Sequence, residues 1–324
     1  MHPLEANSRS SSYTPGAMYD TVIVGGGPAG LAAALHLAWH DRPVLVIDRR
    51  TGPLFFTLEK LYNVPGLPSV RGIDLQRQMR SQVEELGGEF LRASVVDVHG
   101  QEGDFTLVGE DGETWRTRTV LLATGVARYH PTVDGDYRQC FKYAGKGNLY
   151  YCPDCEAPMI KDLSTVVIGT DSADGAAGMA IGLSRYAAQM RLLVTNDSAL
   201  SAERAARLEQ LDIPVLRGKI AKLVGRRSHL DALVLGDGSQ VAAEAFFVSS
   251  PTVGRTDLAE RLGIEIAATG HHAQPKSQRG DTNVQGVWVA GDLRPMTQQV
   301  SVAVGTGNIA AVMIDQHLRR QQAG

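Results

Sequence analysis

Cysteine is scarce in this sequence: 324 residues hold only Cys140, Cys152 and Cys155. Three are too few for a secreted fold stapled by disulfides, and in a reducing compartment a close pair is more often catalytic or metal-binding. A zinc site is also short of ligands. No second Cys-x-x-Cys and no His-x-x-x-His lies downstream of the pair, and the neighbours His271 and His272 cannot share a helix face, so no metal is expected. Neither sign of charge dominates, with 32 Lys and Arg against 35 Asp and Glu for a net charge of −3. That balance gives no electrostatic reason to expect nucleic acid or an acidic membrane as partner. No apolar run approaches the length of a membrane span, which excludes a helical membrane protein. The first eighteen residues lack the apolar segment of a signal peptide and are Ser-rich and polar; they are expected to form a disordered tail, 1–18, on a cytoplasmic protein.

What is present is organised in units of strand, turn and helix. The length favours two domains. From Tyr19 the stretch YDTVIVGGGPAGLAAALHLAWHDRPVLVIDRR runs apolar strand, glycine turn, helix of small residues and a second apolar strand ending at Asp48. Gly25, Gly27 and Gly30, with Pro28 and Ala29 between the last two, supply Gly-x-Gly-x-x-Gly at the required place. The glycines allow a tight turn, close approach of a pyrophosphate to the backbone, and close packing of helix on strand. The helix N-terminus offers its unbonded N–H groups to the phosphates. Asp48 is spaced to accept hydrogen bonds from ribose hydroxyls. The unit is expected to bind a dinucleotide.

Two more apolar strands end on small residues. TVLLATG, 119–125, closes on Ala123, Thr124 and Gly125, and GVWVAGD, 286–292, closes on Gly291 and Asp292. Between them lies CPDCE, in which Cys152 and Cys155 have the spacing for thiol–disulfide exchange: one sulfur attacks and its neighbour resolves the mixed disulfide. Pro153 stiffens the loop. Glu156 is placed to exchange a proton with a thiol or to be a solvated carboxylate in the first helical turn. Cys140 is expected to fill apolar space. A second strand and turn, VVIGTDSADGA, keeps Gly169 but carries Asp171 and Asp174 at the later glycine positions. A carboxylate there adds bulk and like charge where a pyrophosphate would approach.

Taken together these stretches resemble the low-molecular-weight thioredoxin reductases, FAD flavoproteins with two dinucleotide-binding domains. The resemblance covers nearly the whole chain after Met18. It implies an α/β fold of two Rossmann-like domains, the second inserted into the first: 19–130 and 242–324 binding FAD, and 131–241 carrying the Cys-x-x-Cys. In the FAD domain it implies cofactor contacts from Asn63 in the NVPG turn, where Val64 replaces the usual Trp, from the Ala123-Thr124-Gly125 strand, from Gly291 and Asp292, and from Gln299 and Val300 at the start of the last helix. It makes Cys155 the flavin-facing sulfur and Cys152 the one that meets the substrate, with Glu156 in place of the family's Asp. A homodimer is expected from the family alone.

The chain departs from the family at the nicotinamide site. Besides Asp171 and Asp174, Thr195-Asn196-Asp197 stand where NADPH-dependent members carry the arginines that pair with the 2′-phosphate, and Gln298 stands for an arginine in the last helix. These substitutions suggest a branch independent of NAD(P)H. Such a protein would exchange electrons between FAD, the Cys152–Cys155 pair and a protein dithiol such as thioredoxin, with ferredoxin a possible donor. Two alternatives stand beside it: an FAD-dependent dithiol oxidase acting on a small molecule with oxygen as acceptor, and a non-catalytic flavin redox sensor.

Overall fold

A computed structural model describes residues 13–55, 57 and 59–323. They form two compact units. The first comprises the described residues up to Phe55, then Val64–Ala127 and Val253–Gly324; the second comprises the described residues of 56–63 together with Arg128–Thr252.

The first unit is built on a parallel sheet in the order Glu89–Leu91, Val44–Ile47, Met18–Val24, Thr114–Leu122. Val44–Ile47 is wholly buried and Met18–Val24 nearly so, as expected of strands covered on both faces. Thr114–Leu122 is long enough to serve two further partners: its N-terminal half pairs antiparallel with Asp104–Gly109, and its C-terminal half pairs parallel with Val287–Val289. Helices Pro28–Trp39 and Val300–Ala323 pack on one face of the sheet, with Ala33, Ala34, Ala310 and Ala311 in their shared core. Small residues let the helix backbones come close: a Cβ on Gly307 would lie 2.1 Å from the Ala29 carbonyl oxygen. At the far end of these helices Arg42 joins two buried carboxylates, Asp20 at 3.3 Å and Asp315 at 2.8 Å, and Arg319 bonds the second oxygen of Asp315. Burial alone would raise the Asp315 pKa, but the bonds from Arg42 and Arg319 outweigh it and hold the group below the usual carboxylate range.

The second unit has its own parallel sheet, ordered Leu149–Tyr150, Ala245–Ser249, Ser164–Gly169, Gln189–Val194, Val215–Arg217. Helix Ala173–Leu183 covers one face through Ala173, Ala176, Ala177 and Ala180. A three-stranded antiparallel sheet, Ile220–Arg226, His229–Leu235 and Gln240–Ala242, covers the other through Leu230, Leu233 and Val241.

Two expected boundaries move. The inserted unit does not stop at Val241: Ala245–Ser249 pairs in parallel with Ser164–Gly169, so its buried Phe246, Phe247 and Val248 belong to the second core. The expected tail 1–18 is too long. Tyr13 and Ala17 pack on the first unit's core, the Thr14 N–H donates to the Glu89 carboxylate at 3.0 Å, and a strand starts at Met18. Residues 1–12 of that expectation lie outside the described residues.

Candidate active site

The first glycine turn is fixed by steric exclusion. Gly25 has φ +108°, and a Cβ there would lie 2.3 Å from the Ala123 carbonyl oxygen; its N–H donates to the Ile47 carbonyl at 2.8 Å. A Cβ on Gly30 would come within 1.9 Å of the Gly25 carbonyl, so this glycine lets the helix start directly on the strand. Gly27 differs: a Cβ there meets nothing within 4 Å. It caps helix Pro28–Trp39, and the first N–H of that helix to reach a main-chain carbonyl is that of Leu31, bonded to Gly27 at 2.9 Å. Pro28 has no N–H, so the turn's donors ahead of Leu31 are those of Gly27, Ala29 and Gly30. Asp48 sits against Gly26, where a Cβ would be 3.0 Å from the Asp48 Cβ. A pocket lined by Gly26, Leu31, Asp48, Gln76, Arg80 and Phe90 adjoins the turn.

The last strand brings Gly291 and Asp292 to the same end of the first helix. Gly291 has φ +69°, and a Cβ on it would be 2.8 Å from the Ala29 Cβ. Its N–H donates to the Thr306 hydroxyl at 3.0 Å, which ties the turn to the helix Val300–Ala323 that Val300 opens and Gln299 precedes. Of the residues expected to contact the cofactor, Gly25, Ala29, Gly30, Asp48, Ala123 and Gly291 are thus gathered about one turn with Gly27 and Pro28. Thr124 instead braces a neighbouring loop: its hydroxyl donates to the Arg255 carbonyl at 2.9 Å, and the Arg255 N–H bonds Gly125. Asn63 belongs to the second unit, not to the unit that holds the turn. Gln76 and Thr306 are not legible in the sequence as site residues, because polar residues within helices carry no local signal for the distant backbone they bond.

An open face above Gly27, unbonded donors at a helix start and a carboxylate beside the turn fit the pyrophosphate and ribose of a dinucleotide such as FAD.

In the second unit Cys152 and Cys155 are joined in a disulfide. Cys152 caps the short helix Pro153–Glu156, and its sulfur accepts the Cys155 N–H at 3.1 Å. One oxygen of Glu156 accepts two main-chain N–H groups, of Tyr151 and Cys152, each at 2.8 Å. Burial raises the Glu156 pKa, and the two amides only partly offset it. The structure therefore puts a carboxyl that takes up a proton readily on the backbone of the redox loop. Cys140 is buried, its thiol pushed up to about 12 by burial, and donates to the Pro131 carbonyl at 3.4 Å. It is apolar filling.

The second glycine turn is occupied from within. Gly169 is needed, since a Cβ would lie 2.7 Å from the Ala176 Cβ. In the first turn of helix Ala173–Leu183, where a pyrophosphate would find donors, two N–H groups are engaged: Ala173 donates to the Ser198 hydroxyl at 2.9 Å and Gly175 to the Ser172 hydroxyl at 3.1 Å. Asn196 holds this arrangement, its side-chain amide donating to the Thr170 and Asp171 carbonyls at 3.1 and 2.7 Å and its oxygen accepting from Ser198. Asp174 turns to the Ser201 N–H at 2.8 Å, a bond that lowers its pKa. Asp171 and Asp197 are exposed.

Among the described residues one group of three possible metal ligands gathers, His36, His40 and Asp315 in the first unit. Both Asp315 oxygens are bonded to guanidinium groups, and a cation there would meet two positive charges. No described helix is long and apolar enough to cross a membrane.

The sequence profile of the Pyridine nucleotide-disulphide oxidoreductase family matches residues 19–307, and the chain belongs to that family, whose thioredoxin reductases are FAD-binding flavoproteins. It is 27% identical to a thioredoxin reductase of Listeria innocua over 90% of this chain and 92% of that protein. It is 26% identical to a thioredoxin reductase of Bacillus subtilis over 94% of this chain and 96% of the relative. Among solved structures, that of HlmI superposes with a TM-score of 0.85 at 26% identity, covering 96% of each chain. A Bacillus anthracis structure described as a putative thioredoxin reductase, TrxB, superposes at 0.82 and 22% identity, covering 94% of this chain and 99% of its own, a likeness of fold. The chain is a thioredoxin reductase-like flavoprotein disulfide oxidoreductase with FAD as its cofactor.

Proposed function

We propose that this protein exchanges electrons between FAD and the Cys152–Cys155 pair, and between that pair and a protein dithiol such as thioredoxin, without using NADH or NADPH. The observation that carries the nucleotide independence is the engagement of the Ala173 and Gly175 N–H groups by Ser198 and Ser172. A nucleotide would have to break these bonds to reach the helix N-terminus, and would then meet Asp171 at a glycine position of the turn and Asp197 where an arginine would be needed. FAD, when bound, supplies two-electron redox chemistry to the disulfide.

In the reducing direction the Cys152 thiolate attacks one sulfur of the partner disulfide and one partner thiolate leaves. Cys155 then attacks the Cys152 sulfur, restoring the Cys152–Cys155 bond and releasing the second partner thiolate. Two electrons pass from the pair to the partner, and each released thiolate takes up one proton. The Cys155 N–H donated to the Cys152 sulfur supports Cys152 as the thiolate-bearing residue, because that bond stabilises negative charge on it. Glu156, its pKa raised by burial, exchanges a proton with the leaving or attacking thiol. The electron source in this reading is a protein carrier, with ferredoxin the first to test, and the protein acts as a homodimer in the cytoplasm.

The test is anaerobic mixing of the oxidised holoprotein with NADPH, NADH, reduced ferredoxin and dithiol thioredoxin in turn, following flavin absorbance. Bleaching by thioredoxin and none by millimolar nicotinamide nucleotide is the expected result. Rapid bleaching by either nucleotide overturns nucleotide independence, and no exchange with any dithiol protein overturns the thiol–disulfide assignment.

A further inference from the structure

The glycine turn of the first unit is held from a direction that its motif does not announce. Gln76 lies on helix Gly72–Glu85 and is 4% exposed, and its side-chain amide donates to the Gly26 carbonyl. That carbonyl belongs to the peptide linking Gly26 to Gly27. In a trans peptide the C=O and the N–H point in opposite directions, so fixing the Gly26 oxygen on Gln76 turns the Gly27 N–H away from Gln76.

Three features make this orientation matter. Gly25, Gly26 and Gly27 are consecutive glycines, and a peptide between glycines rotates with little steric resistance unless something holds it. Pro28, the first residue of the helix, has no N–H, so one of the donors that a helix normally offers to an anion is missing and the Gly27 N–H gains weight among those that remain. Gly27 is also the one motif glycine with open space above it, whereas Gly25 and Gly30 are closed in by backbone. Asp48 packs against Gly26 and lines the same pocket as Gln76, so the carboxylate and the amide grip this residue together.

We infer that Gln76 is a positioning residue for the cofactor: by holding the Gly26 carbonyl it aims the Gly27 N–H at the pyrophosphate of FAD. This rests on FAD occupying the first glycine turn.

The experiment compares FAD dissociation constants of wild type, Gln76→Leu and Gln76→Glu holoproteins between pH 5 and pH 8, by release of FAD fluorescence on dilution. Gln76→Leu keeps the bulk but has no donor; it is expected to bind FAD about tenfold more weakly at every pH. Gln76→Glu supplies a donor only while its carboxyl is protonated. Its affinity is expected near wild type at the acid end and falling as the carboxyl ionises and two acceptors face each other. A role in packing alone would leave the leucine variant at wild-type affinity and the glutamate variant without that slope, and either result overturns the inference. Wild-type protein that takes up no FAD would instead overturn the cofactor site itself, so the two failures are distinguishable.

Discussion

The Ser198 hydroxyl accepts the N–H of Ala173 at 2.9 Å, closing the start of the helix at which a second dinucleotide would place its phosphates. The bond joins two loops that follow neighbouring parallel strands, Ser164–Gly169 and Gln189–Val194, and Asn196 locks it from the same loop as Ser198. Ser198→Ala is expected to destabilise the second unit by about 1 kcal/mol, as loss of a helix cap does, and to leave NADPH unable to bleach the flavin because Asp171 and Asp197 remain. Chemical denaturation and anaerobic stopped-flow read the two effects. Bleaching by NADPH in this variant would mean that the serine alone blocks the site.

The first turn predicts opposite outcomes for neighbouring glycines. In Gly27→Glu the new Cβ meets nothing within 4 Å, and the side chain sets a carboxylate at the expected phosphate position. It is expected to fold with wild-type stability and lose its yellow colour. Gly30→Ala drives a methyl group to 1.9 Å from the Gly25 carbonyl and is expected to destabilise the first unit by about 1–3 kcal/mol. The ratio of flavin to protein absorbance, together with unfolding curves, separates them. Stoichiometric FAD in Gly27→Glu would remove the cofactor from this turn.

Replacing Cys152 or Cys155 by serine is expected to abolish dithiol exchange with thioredoxin. Cys140→Ala is expected to leave it within about twofold of wild type, since a buried thiol pushed up to about 12 offers no thiolate at neutral pH. A turnover assay with each variant checks this, and activity lost in Cys140→Ala would show a third working sulfur.

Glu156 carries a pH-dependent expectation. Burial raises its folded-state pKa, so its contribution to stability is fully present below the unfolded carboxylate pKa and is lost as pH rises through the raised value. Glu156→Gln keeps an oxygen for the Tyr151 and Cys152 amides and removes the titration. The variant is expected to gain stability relative to wild type as pH rises from about 4 to 8, while exchange slows by about a hundredfold, the scale of a lost acid–base group. Melting curves across that range test the sign. A difference independent of pH would show that Glu156 does not titrate there.

Arg42 is the test of the first unit's ion network. Arg42→Ala leaves Asp20 and Asp315 buried with one cationic partner fewer each, and is expected to destabilise by about 3–5 kcal/mol. Because the Asp315 pKa is lowered, the contribution it makes is present above the unfolded carboxylate pKa and fades as acid protonates it. Denaturant titrations of wild type and variant at neutral and acid pH should therefore converge at the acid end.

The sequence by itself determined the strands, turns and helices about the two glycine turns and the cysteine pair, because these follow from local rules. Continuous apolar runs make buried parallel strands, glycine is required where backbone meets backbone, and Cys-x-x-Cys spacing lets two sulfurs meet at a helix start. The losses at Asp171 and Asp174 were legible in the same way, as the wrong residue at a known offset. What the local pattern left open was settled by contacts between residues far apart in the chain. Ser198 reaches Ala173 because parallel pairing sets the ends of two strands side by side, Thr306 reaches Gly291 because the last helix packs along the first, and Ala245–Ser249 joins the second core because its hydrogen bonds go to Ser164–Gly169. Gln76 reads as one more polar residue of an amphipathic helix. Only the fold, by laying that helix against the glycine turn, gave its buried amide a carbonyl to hold.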